Sequence, residues 1–205
     1  MKKNLFPVLT FIGIVLVLGA IAFFSNPDWS KPLPSPAPSP SPSPQNNTDK
    51  TATLEMWKST SGHELVKNCT PEMATGMHIH QHLVVLVEKT PQTIPAGIGI
   101  DLGKQCLSPV HTHTDGGLIH VEAPVKVDFA LGDFFYNWKT AFSKLQFGSY
   151  KVDKDHGLKM YVNGKESQDF ENLVLQDHQE IVIDYYLLKD GPGSLPPPFN
   201  GWDKI

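Results

Sequence analysis

The residues with the clearest chemistry are histidines at alternate positions. Five of the nine histidines in the chain fall in two short runs, and a sixth follows with a glutamate two residues after it. The resulting candidate ligands are His78, His80, His82, His111, His113, His120 and Glu122. Because alternate residues of an extended chain point to the same side, each run can direct its side chains into one shared space. The pattern therefore predicts a metal site built on β-strands.

A single ion cannot use all of these side chains, since zinc and copper accept roughly four to six donors. We expect the main ligands to be His80, His111, His113 and His120. The remaining histidines, His78 and His82, would bind a second ion or orient the first set of ligands. Glu122 would support a ligand imidazole or act as a general base.

A nitrogen-rich site suits several divalent transition metals, and affinity alone does not choose among them. We expect copper or zinc, with iron as a further possibility. Met73 and Met77 precede the first histidine run, and their soft thioethers favour copper. Filling the hydrophobic core is nevertheless the better explanation of each methionine.

The N-terminal residues 1–25 contain a nearly unbroken apolar stretch, residues 5–24, that follows Lys2 and Lys3. A stretch of about 20 apolar residues is long enough to cross a bilayer. Its positive flank predicts a single-pass anchor in the cell membrane with the N-terminus inside and the rest of the chain extracytoplasmic. The alternative is a cleaved signal peptide with Ala20-Ile21-Ala22 at the cleavage site, which would make the protein secreted.

The next segment, residues 26–50, is a linker rich in proline and serine, which favours an extended conformation. Residues 51–205 are then long enough for one domain. This part has 13 lysines and 19 acidic residues, a net charge of −6 with neutral histidines, and the whole chain lacks arginine. Nucleic acids are therefore disfavoured as partners, and a metal ion is favoured.

The chain has two cysteines, Cys69 and Cys106, both on the predicted extracytoplasmic side. An even pair in an oxidising compartment is typical of a disulfide. Free thiols and a thiolate metal ligand are the alternatives.

The hydrophobic periodicity predicts a mainly β domain with one packed helix. Apolar alternation or apolar runs predict strands over residues 78–88, 118–129, 158–162 and 180–188, and a return segment over 93–100. Leu131, Phe134, Phe135, Trp138 and Phe142 have the spacing of an amphipathic helix. We expect an antiparallel sheet or a small barrel, either cupin-like or β-grasp-like.

Four motifs in the same order, His-Ile-His-Gln-His-Leu, His-Thr-His, Ile-His-Val-Glu and Leu-Gly-Asp-Phe-Phe-Tyr-Asn-Trp, resemble a group of exported or membrane-anchored prokaryotic proteins of unassigned function. The resemblance covers roughly residues 77–186. In that group an aspartate tends to follow the His-x-His directly, whereas here Thr114 comes first and Asp115 second. The resemblance implies a shared histidine-rich site and no particular reaction.

Three functions are compatible with these patterns. The first is a membrane-tethered protein that holds or delivers copper or zinc outside the cytoplasm. The second is a metalloenzyme whose open site activates water on zinc with Glu122 as the base, or oxygen on iron in a cupin-like pocket. The third is a structural or adhesion module without a metal, in which the histidines respond to pH or bond to one another.

Overall fold

The computed structural model describes residues 47–71 and 76–205. All of these residues belong to one unit of the chain, Pro44–Ile205. The predicted anchor, most of the linker and Met73 lie outside the described residues. Within the described ranges, no helix has both the length and the apolar character required to span a membrane.

The described residues form three α-helices, two short 3-10 helices and many short strands. The α-helices are α1 (Asn47–Ser59), α2 (Gly62–Leu65) and α3 (Leu131–Trp138), and the 3-10 helices are Phe170–Asn172 and Trp202–Lys204. The strands are β1 (Met77–Val87), β2 (Thr90–Gln92), β3 (Ile100–Asp101), β4 (Cys106–Leu107), β5 (Val110–His111), β6 (Leu118–Ala123), β7 (Phe142–Ser143), β8 (Gln146–Phe147), β9 (Tyr150–Lys151), β10 (His156–Val162), β11 (Lys165–Ser167) and β12 (Gln179–Leu187).

The main sheet has seven strands in the order β11-β10-β12-β1-β6-β5, and β2 also pairs with β1. Strands β1 and β12 run parallel at its centre, and the other neighbours are antiparallel. The sheet is therefore mixed. A strand that is covered on both faces needs apolar residues at successive positions, and β1 ends in such a run, Leu83 to Val87.

This architecture corrects two of the expectations. The sheet is open, with β11 and β5 at its ends, so a closed cupin-like barrel is wrong. A purely antiparallel sheet is also wrong, because β1 and β12 are parallel. The prediction of a mainly β fold is confirmed. Helix α3 lies where the packed helix was predicted, and α1 and α2 are helices that the periodicity did not predict.

The longer strands lie close to where the alternation predicts them, and two segments differ. Strand β6 stops at Ala123, since Pro124 has no backbone N–H to continue the ladder. In the return segment, only Ile100 belongs to a strand. The turn at Asn163-Gly164 joins β10 to β11, and both residues have the positive φ that a tight hairpin favours.

Helix α3 is shorter than its apolar spacing predicts. It ends at Trp138, where Lys139 adopts a left-handed conformation with φ 56°. Phe142, predicted as part of the helix, lies in β7 and stacks on Phe135 with ring centroids 4.2 Å apart. Its apolar character therefore reflects packing against the helix and not membership of it.

The hydrophobic core lies between the main sheet and α3, with Ile119, Val121, Ile183, Leu131 and Phe134 fully buried.

The predicted disulfide is confirmed. Cys69 and Cys106 are bonded, with Cα atoms 5.4 Å apart, so neither offers a thiolate to a metal.

Candidate metal centre

Strand β6 lies between β1 and β5, and its register aligns histidines from all three strands. His120 pairs with His80 of β1 on one side and with His111 of β5 on the other. Two residues along the β1–β6 ladder, on the same face, His78 pairs with Glu122. Because residues paired across a sheet project from the same face, these side chains meet above the strands.

Two groups of potential ligand atoms result, in each of which all atoms lie within 4.8 Å of one another. The inner group consists of His111, His113, His120 and Glu122, and the outer group consists of His78, His80 and His120. His120 belongs to both groups. The sequence predicts His80 beside His111, His113 and His120, whereas the structure places Glu122 in that position and His80 in the outer group.

The inner group has imidazoles already turned towards each other. His111 is fully buried, and its Nδ1 donates a hydrogen bond to the Ser108 carbonyl at 2.9 Å. This bond fixes the proton on Nδ1, so Nε2 keeps its lone pair. That Nε2 accepts a hydrogen bond at 3.0 Å from Nε2 of His113, and an ion bound to both nitrogens would replace this bond. Two nitrogens on one tetrahedral zinc ion are separated by about 3.3 Å, given bond lengths of about 2.0–2.1 Å.

Two atoms of the inner group are buried without a hydrogen-bond partner, Nδ1 of His120 and Oε2 of Glu122. Only two other side-chain atoms in the described part of the chain share this state. Buried polar atoms normally have a partner, and each exception requires an explanation. An ion bound in the inner group would provide one to Glu122 and to a nitrogen of His120.

Burial also sets the protonation of two histidines of the inner group, His111 and His120. Burial lowers the pKa of His111 to about 4. The hydrogen bond to the Ser108 carbonyl opposes this shift, and repulsion from His113 adds to it. Burial, followed by repulsion from His80, lowers the pKa of His120 to about 3. Both imidazoles are therefore neutral near pH 7, the form in which histidine binds a metal.

Polar residues that sequence reasoning missed hold His111 in place. Asn137 of α3 donates from Nδ2 to Ser108 Oγ at 2.8 Å and to the Val110 carbonyl at 2.7 Å. Thr112, buried between the two histidines of its run, donates to the Pro95 carbonyl and accepts from the Ile98 N–H. The available signal was a polar residue, Asn137, on an otherwise aromatic helix.

Asp115 is placed away from the ligand groups. Its Oδ1 accepts a hydrogen bond from the Ala96 N–H at 2.7 Å, so it anchors the loop after the second histidine run. It belongs to neither ligand group.

The three histidines of β1 have different surroundings. His78 is half exposed, and its Nε2 lies 3.2 Å from Oε1 of Glu122. Burial lowers the pKa of His80, which is partly buried. His82 belongs to neither ligand group and instead stacks on Phe199 of the C-terminal segment, with ring centroids 4.2 Å apart.

The inner group therefore offers one ion three nitrogens and one carboxylate oxygen, and three further histidines lie on β1. No family model, no curated protein and no solved structure matches this chain.

Proposed function

We propose that this protein binds one divalent transition-metal ion through His111, His113, His120 and Glu122. The observation that carries the proposal is the convergence of these four ligand atoms within 4.8 Å, two of them on buried side chains. The neutral state of His111 and His120 supports it, because no proton has to leave either imidazole near pH 7.

Holding the ion, and not catalysis, is the role that the donor set favours. Zinc sites that hold the metal structurally have four protein ligands, whereas catalytic sites have three and keep a position for water. The inner group supplies four donors. The metalloenzyme alternative requires Glu122 to stay off the metal and act as a base. Cobalt substitution separates the two, since a bound water changes the coordination number that its visible spectrum reports.

Zinc is the ion that we propose first, because imidazole nitrogens and a carboxylate oxygen are its usual ligands. Copper had additional support from nearby thioethers. Met77, however, packs against the hydrophobic core, which agrees with its interpretation as a filler. The metal analysis described below also tests for copper(II) and iron(II).

We also propose that the domain is extracytoplasmic and tethered by the apolar N-terminal segment. The disulfide supports an oxidising compartment. Lys2 and Lys3 support an inside N-terminus. The resemblance to exported or membrane-anchored prokaryotic proteins points the same way, and the open sheet favours the β-grasp-like alternative for the domain.

The test is elemental analysis of the full-length protein, purified without a histidine tag. We expect about one equivalent of a single metal, bound tightly enough to survive gel filtration. The variant His111→Ala/His113→Ala removes two ligands of the inner group and should contain no stoichiometric metal. The matched control, His63→Ala/His156→Ala, removes two histidines that belong to neither group and should retain it.

Absence of metal, together with no uptake from Zn²⁺, Cu²⁺ or Fe²⁺, would refute the proposal and leave the structural or adhesion module. Full metal content in the His111→Ala/His113→Ala variant would place the ion elsewhere.

A further inference from the structure

The two ligand groups share His120, and this residue connects them physically. Its ring contacts rings of both groups, with centroid distances of 4.6 Å to His80, 5.9 Å to His78, 4.7 Å to His113 and 5.5 Å to His111. An ion bound to His120 is therefore next to either remaining set of ligands.

We infer that the outer group is the position at which the ion enters and leaves, and the inner group the position at which it is held. This inference rests on the proposed function. The ion would move between the two positions while His120 remains bound to it, exchanging His78 and His80 for His111, His113 and Glu122.

The number of donors supports this division. The inner group offers four protein ligands, the number of a closed zinc site, so an ion held there has no vacant position of a tetrahedral set for an incoming chelator or partner. The outer group offers three, which leaves a coordination position for a ligand from solution or from a partner protein.

The outer group contains no fully buried ligand, whereas two ligands of the inner group are buried. His78 has 49% of its side chain exposed and His80 and His120 are partly buried, whereas His111 and Glu122 are buried and His113 is the exposed member of the inner group. His78 also contacts Glu122 at 3.2 Å, so the outer group touches the carboxylate that completes the inner one. An ion that binds at the exposed end is already beside the ligands of the buried end.

The shared residue also sets the stoichiometry. A neutral imidazole has one lone pair for a metal, so His120 can serve only one position at a time. Two dications in adjacent positions would repel each other with a single carboxylate between them. We therefore expect one ion per molecule, even with excess metal.

The experiment measures the rates at which full-length protein takes up Zn²⁺ from a weak zinc–citrate complex and loses it to a strong chelator. The variant is His80→Ala, and the matched control is His82→Ala, on the same strand and outside both groups. We expect His80→Ala to slow both uptake and release of zinc by about tenfold. The dissociation constant is the ratio of the two rates, so it should stay within about threefold of the value for the unaltered protein. The control His82→Ala should have the same rates as the unaltered protein.

Unchanged rates in His80→Ala would overturn the inference, because exchange would then occur directly at the inner group past the exposed His113. Faster release with weaker binding would also overturn it, since His80 would be a ligand of the holding position. Two equivalents of zinc in the unaltered protein would overturn it as well, because the two groups would then be independent sites. His80→Gln provides a second variant, and unfolding curves verify that each variant folds.

Failure of the proposed function gives a different result. In that case the unaltered protein binds no zinc at all, before any variant is compared.

Discussion

Lowering the pH should destabilise the metal-free protein through its buried histidines. The pKa of His111 is about 4 in the folded state, against about 6.5 for an unperturbed histidine. The unfolded chain therefore binds the proton more readily, and protonation favours unfolding. The stabilising contribution of His111 is complete above about pH 6.5, is lost as the pH drops towards 4, and falls no further below about pH 4.

The size of the effect follows from the two pKa values. Between pH 7 and pH 5, the linkage gives a loss of about 2 kcal/mol in the free energy of unfolding from His111 alone. Its full burial means that solvent screening does not reduce this figure. His120, with a pKa of about 3, adds a loss of similar size, about 2 kcal/mol, over the same range.

The assay is urea unfolding of the metal-free, full-length protein at pH 7, 6 and 5, with the disulfide intact. The variant His111→Gln has no group that titrates at this position, so its loss between pH 7 and pH 5 should be smaller by about 2 kcal/mol. Equal pH dependence in the unaltered protein and in His111→Gln would refute the reasoning.

Three further predictions concern the framework and the metal. Removing the disulfide in Cys69→Ser/Cys106→Ser should lower the free energy of unfolding by about 4 kcal/mol, because the unfolded chain regains the entropy of a loop that spans a 37-residue separation. Urea titration measures this loss, and a value below about 1 kcal/mol would contradict the prediction. Gly117→Ala should cost more than about 2 kcal/mol, because φ is +86° and the new Cβ would lie 2.1 Å from the Leu83 carbonyl oxygen. The control Gly97→Ala, with φ +77° and open space, should cost only about 1 kcal/mol. Zinc at 100 times its dissociation constant should raise the free energy of unfolding by about 2.7 kcal/mol, and calorimetry that shows no shift would exclude binding to the folded state.

The strands that carry the site were predictable, because alternation and apolar runs report local burial. Strand β1 begins one residue before its predicted start, and its histidines alternate as expected. The pairing of β1 with β12 was not predictable, since it joins segments near opposite ends of the domain. Periodicity gives the face of a residue and says nothing about which strand lies beside it.

The choice of ligands was likewise only partly predictable from the sequence. Whether His80 or Glu122 lies beside His111 depends on the stagger between β5 and β6, which the N–H of Glu122 helps to fix by bonding the Pro109 carbonyl. His82 has the same spacing as His80, yet Phe199 covers it from the C-terminal segment. No local pattern distinguishes these two histidines.

The state of the buried atoms bears on the choice between a metal site and a structural module. A histidine network that only stabilised the fold would satisfy its own donors and acceptors, since an unpaired buried polar atom costs about 1–3 kcal/mol. Here Nδ1 of His120 and Oε2 of Glu122 lack partners, both residues belong to the inner group, and burial keeps the imidazoles of His111 and His120 neutral. Apolar residues at these positions would fill the same space without that cost. The arrangement is therefore better explained by an ion that supplies the missing partners than by stability of the metal-free fold.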